Sequence, residues 1–148
     1  MAQKNGKKRK SWFEQQAERF GSDFINTIRS DEAQKGAIKV FSDLAYGNVN
    51  IPNEGSYFLN QQFLDNCIVA ANSKRVYYSY LFSGLNALTA SDPAVGNDNN
   101  FQATYRIIRG NFEAYSIILN SLHMIRDSGN IQILYSLTNQ LAPYKYIL

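Results

Sequence analysis

The chain has 148 residues, 45% hydrophobic, 14% aromatic and 18% charged, with a net charge of +3. That is enough chain for one domain with a true core, and too apolar a mixture for intrinsic disorder. No apolar run approaches the roughly 20 residues that span a bilayer, so no membrane association is expected.

The charge is unevenly placed. Residues 1–10 carry Lys4, Lys7, Lys8, Arg9 and Lys10 and no acid, a local charge of +5. The other 138 residues hold ten basic and twelve acidic groups, so the body is slightly acidic. The functional reading of the arm is contact with nucleic-acid phosphates or with an acidic partner surface, and the bland reading is a solubilising tail. The arm leads into Ser11-Trp12-Phe13-Glu14 rather than an apolar core, so secretion through a signal peptide is not expected. The single cysteine, Cys67, excludes an internal disulfide and a cysteine-rich metal site. The expected location is the cytoplasm or an assembled particle.

Ser11 and Glu14 fit a capping box, and Phe13, Ala17, Phe20, Phe24 and Ile28 follow as one apolar stripe. This predicts a first helix, with Gly21-Ser22 as a point where it kinks or splits. A second helix starts near Ser30 or Asp31, with Ala37, Phe41 and Leu44 inward, Ile38 and Ala45 beside them, and Gly47 as its stop. Residues 47–56 read as a loop, punctuated by Pro52 and two glycines. Residues 11–47 are thus expected as a peripheral helical pair and 57–142 as the main bundle, within one domain over 11–148.

Residues 57–73 read as helix with Phe58, Leu64, Cys67, Ile68 and Ala71 inward, and 74–90 as helix with Tyr78, Leu81, Leu85 and Leu88 inward. Asn72-Ser73 either divides the two or lies within one long helix. A polar, turn-rich loop covers 91–100. Phe101, Tyr105, Ile108, Phe112, Tyr115, Leu119 and Leu122 then alternate steps of four and three. That predicts the central helix over 101–127, ended by Ser128-Gly129. A second row, Ile107, Ala114, Ile118 and Ile125, makes this helix apolar on two faces. Gly110 costs it ~1 kcal/mol relative to Ala and would let another helix approach closely. A last helix covers about 130–142 with Ile131, Leu134, Leu137 and Leu141 inward, and Pro143 stops it. The segment Tyr144-Lys145-Tyr146-Ile147-Leu148 is apolar and aromatic, so Tyr144, Tyr146, Ile147 and Leu148 are expected to dock on this chain or on a partner. The fold class is all-α, a bundle of five or six helices with a basic arm and an apolar tail.

Catalytic equipment is sparse. The one histidine, His123, stands four residues before Asp127, which reads as a surface helical contact rather than an acid/base pair. Cys67 falls on an apolar face and reads as core. Asp31-Glu32 reads as a helix start, and no phosphate loop, zinc spacing or calcium loop occurs. No enzyme, no catalytic residue, no metal site and no cofactor is expected. Lys74-Arg75 beside Tyr77, Tyr78 and Tyr80 has the composition of a single-strand binding patch, but helical spacing divides these tyrosines between faces.

Residues 55–148 hold only six basic and five acidic groups. Charge depletion with aromatic enrichment marks interfaces, although a coding bias toward Asn and Tyr gives the same composition. The leading expectation is a structural subunit of a larger assembly, such as a virion neck, ring or capsid-associated component. Its partners would be protein subunits, with nucleic acid a further partner through the arm. The alternative is a small nucleic-acid-binding regulator.

Overall fold

The computed structural model describes residues 32–148, and the first predicted helix and the basic arm lie outside the described residues. Among the described residues the chain is helical with no strand. Five α-helices follow in order: α1 Glu32–Ala45, α2 Ile51–Glu54, α3 Gln61–Ser91, α4 Asn99–Ser128 and α5 Ile133–Leu141. Three 3₁₀ segments, Gly55–Leu59, Pro93–Asn97 and Ala142–Tyr144, serve as connectors or ends.

Two long helices set the frame. At 31 and 30 residues, α3 and α4 are each about 45 Å long at the ordinary helical rise, and they lie antiparallel. Asn72-Ser73 does not divide α3, because neither residue breaks a helix and Asn72 instead accepts a hydrogen bond from Arg75 Nη2 at 3.4 Å. The N-terminus of α3 is set by Asn60, whose side chain accepts from Phe63 N–H at 2.9 Å. Asp98 Oδ1 does the same for α4, accepting from Asn100 at 2.8 Å and Phe101 at 3.1 Å. Gly129 ends α4 at φ +67°, a left-handed conformation that glycine adopts without a Cβ penalty. Gly47 closes α1 in the same way at φ +73°.

Both predicted loops are more ordered than their composition suggests. In 47–56, Asn50 accepts from Asn53 N–H while Glu54 accepts from Asn50 N–H, a reciprocal cap that starts α2 with Pro52 in its first turn. This turn delivers Ile51 to the core. The helix predicted from 57 begins at 61 instead, and Phe58 is buried from the preceding 3₁₀ segment. In 91–100, Pro93–Asn97 winds as 3₁₀ before Asp98 caps α4.

The core has two parts. The first gathers Phe41 and Leu44 of α1, Leu64 and Cys67 of α3, Ile118 and Leu122 of α4, and Leu134, Leu137 and Leu141 of α5. All of these except Leu64 are sealed from solvent, and each large one contributes on the order of 1.5–3 kcal/mol by burial. Here α1 packs on α3 and α5, and α5 on α4. Expected to be peripheral, α1 is integral to this core, because its steps of four and three place Ala37, Phe41 and Leu44 on one buried stripe. The second part lies toward the α3–α4 turn and holds Tyr77, Leu81, Leu85, Phe101 and Ile108, all from α3 and α4.

Candidate functional site

The tail segment has the most specific geometry. After α5, the chain turns through Ala142–Tyr144 and runs onto the outer side of α4 at Gly110. A Cβ on Gly110 would stand 2.9 Å from Ile147 Cδ1 and 3.1 Å from Tyr146 Oη. The close approach expected of Gly110 is therefore made by the tail and not by another helix. One turn on, Tyr144 Oη donates to Glu113 Oε1 at 3.3 Å, and Arg109 Nε braces the same carboxylate at 3.3 Å. Burial first, then the Glu113 charge and hydrogen bond, hold the Tyr144 hydroxyl above its ordinary pKa. Leu148 packs at the edge of the larger core, while Tyr146 stays 67% exposed. Lys145 Nζ sits 5.9 Å from the Tyr46 ring centroid, in a cation–π contact.

The patch around Lys74 and Arg75 is not a continuous stacking surface. Tyr77 is buried in the second core, with Lys74 Nζ 5.9 Å from its ring centroid. Tyr78 stacks on Tyr115 at 6.0 Å with planes 7° apart, which bridges the two cores. Only half-buried, Tyr78 is less inward than the neighbouring Tyr77, because 77, 81 and 85 form the tighter seam. Tyr80 projects outward.

The titratable groups stay apart. His123 does not pair with Asp127, whose carboxylate instead meets its neighbour Arg126 Nε at 3.5 Å. Cys67 is sealed, and burial pushes its thiol from 9.0 up to about 12. Burial, with Tyr78 second, also raises the Tyr115 hydroxyl well above its ordinary range. Among the described residues no group of three or more His, Cys, Asp or Glu side chains could hold a metal, and no helix is long and apolar enough to cross a membrane.

The exposed apolar side chains are numerous. Val69 and Tyr80 lie three turns apart on one face of α3, and Ile107 of α4 is 47% exposed one turn before Gly110. Leu59 borders a cleft of about 370 Å³ between the start of α3 and the end of α4, floored by Phe58, Leu64 and Ile125 and edged by Asp65 and Arg126. Of the Leu59 cleft and the Gly110 notch, only the notch is marked in the sequence. The notch had one signal, an isolated glycine in an otherwise strong helix; the cleft had none. Lys4, Lys7, Lys8, Arg9 and Lys10 lie outside the described residues. Comparison with protein-family models, curated proteins and solved structures finds no match to this chain.

Proposed function

We propose that the chain is a non-enzymatic structural subunit of a larger assembly, its helical body meeting other subunits and its arm, Lys4 to Lys10, meeting nucleic acid or a neighbouring subunit. The observation that carries this reading is the surface of residues 55–148. Eleven charged groups serve 94 residues, while Tyr57, Leu59, Val69, Tyr80, Ile107, Met124, Tyr135 and Tyr146 stand exposed. A monomer is kept in solution by interspersed charge, whereas an interface sheds charge and keeps aromatics. A virion neck, ring or capsid-associated position is the narrower form of the reading, since such a subunit meets both copies of itself and packaged nucleic acid.

Light scattering and native mass spectrometry of the purified chain test the proposal. Discrete oligomers support it, and a monomer at all accessible concentrations counts against it. The +5 charge of residues 1–10 favours a second reading, a small nucleic-acid-binding regulator. Its test is duplex binding across a salt series with and without residues 1–10. Removing one phosphate-binding side chain lowers the salt slope by roughly 0.9 on B-DNA, so an unchanged slope shows that the arm does not touch the duplex.

A further inference from the structure

The two cores are not enclosed alike. Among the described residues, the second is built by α3 and α4 with Val95 at its edge. Two helices packed side by side close one seam between them, and Tyr77, Leu81, Leu85 and Ile108 lie on it. The apolar surface is wider than that seam. Along one side run half-buried Tyr78 and Phe82 of α3 and Tyr105 of α4. The Phe82 and Tyr105 rings are 5.1 Å apart, and Phe101 lies 6.0 Å from Tyr105. A groove of about 380 Å³ follows this row, floored by Phe101 and Tyr105 and edged by Gly96, Gln102 and Arg106.

Nearer the middle of the hairpin, α1 covers the same side. Phe41 meets Tyr115 edge-on, and Tyr78 stacks on that same ring. From Phe41 the chain continues to Ile51, which lies by Ile131, beyond the end of α4. So α1 runs away from the hairpin turn, and the chain enters it at Glu32 from the turn side.

We propose that residues 13–28 dock in this aromatic groove and form the third wall of the second core. The proposal stands apart from the assembly reading and holds whether or not the chain oligomerises. Three features select this occupant. Only residues 29–31 separate it from α1, which keeps Ile28 within about 14 Å of Glu32 at full chain extension. That tether gives it a high effective concentration at the groove, an advantage a second copy lacks. Phe13, Ala17, Phe20, Phe24 and Ile28 make one apolar stripe, about 22 Å long as a helix, against about 15 Å for residues 78–88 of α3. Glu14 and Glu18 follow Phe13 and Ala17 directly, and they match Arg106 at the rim of the groove. Docking withdraws the aromatic row from the surface open to other subunits. It also ties the arm, Lys4 to Lys10, to the turn half of the hairpin.

A spin label on the full-length chain tests this. Ser22→Cys carries the nitroxide, since residue 22 lies opposite the stripe on a helix. Cys67, sealed with its thiol held neutral, stays unlabelled. In isotope-labelled chain, the amides of residues 82–88 and 101–105 should lose several times more signal than those of α5. Equal losses overturn the proposal. A mixed sample holds the nitroxide on unlabelled chain and the isotope on wild-type chain, and its spectrum should be unchanged. Signal loss at the same amides there places a second copy in the groove and overturns the proposal as well. Hydrogen exchange supplies an independent measurement. Phe20→Asp combined with Phe24→Asp should speed exchange several-fold at Leu85 and Ile108 and leave Leu122 and Leu137 unchanged, and Ser22→Asp should move none of the four. Unchanged protection at Leu85 and Ile108 in the double variant removes the third wall.

Discussion

The two halves of the α3–α4 hairpin are built from the same kind of sequence and meet different fates. Near the start of α3, side chains from α1, α3, α4 and α5 converge, so α4 is buried on two faces: Ala114, Ile118 and Ile125 are sealed along with Leu122. Toward the turn, the described core consists of α3 and α4 residues. There Ile108 is sealed, and Ile107, next to it, faces out. Ile107 and Ile118 belong to one row in the sequence. Burial is decided by how many neighbours an element has, which a single helix's periodicity does not encode.

Core truncations probe this contrast most strongly. Phe41→Ala removes a sealed ring that meets Tyr115 edge-on at 6.2 Å, and should cost about 3–5 kcal/mol in denaturant unfolding. Leu85→Ala, sealed in the second core, should cost about 2–3 kcal/mol, since a site with fewer surrounding elements collapses more easily. Equal losses would mean that the two halves are equally supported, and hydrogen exchange would then show one opening unit rather than two.

The helix ends sharpen the same comparison at smaller scale. Gly129→Ala forces a side chain into φ +67° and should destabilise by about 1–2 kcal/mol. Asp98→Ala removes the acceptor for two free N–H groups of α4 and should cost ~1 kcal/mol. Backbone exchange should rise first at residues 99–102 in the Asp98 variant and near 125–129 in the Gly129 variant. Global exchange in both would show that the two ends open together.

Alkali gives the smallest effect near neutrality. Cys67 and Tyr115 hold their protons more tightly folded than unfolded, so the stability they confer is complete below pH 9. It falls as pH rises through the ordinary thiol range toward about 12. Urea midpoints measured from pH 7 to 11 should be flat and then decline. Cys67→Ala should flatten the first part of that decline, and a decline beginning below pH 8 would point to other groups.

Much of the fold was legible because its signals are local. The steps of α4 place its seam, the stripe Ala37–Phe41–Leu44 places α1, and the run to Leu141 places α5. The short helix at Ile51 was hidden by Pro52 and two glycines, although Asn50, Pro52 and Glu54 are themselves a start signature. The tail's docking place depends on a contact between residues 110 and 147, and no local pattern reports a pairing that distant. Tyr144, Tyr146, Ile147 and Leu148 were legible as residues that dock, not where they dock. The arm, Lys4 to Lys10, was legible as charge alone.

The hairpin turn at Asp92–Asp98 also has a mechanical consequence. Two rods about 45 Å long joined at one tip respond differently to the direction of load. Force applied along their length must shear the whole seam from Leu64 to Leu85 at once. Force applied across the tip peels it turn by turn, starting with half-buried Leu88 and Val95. A neighbour that gripped the rods lengthwise would hold a stiff strut, and one that pulled on the tip would meet a compliant one.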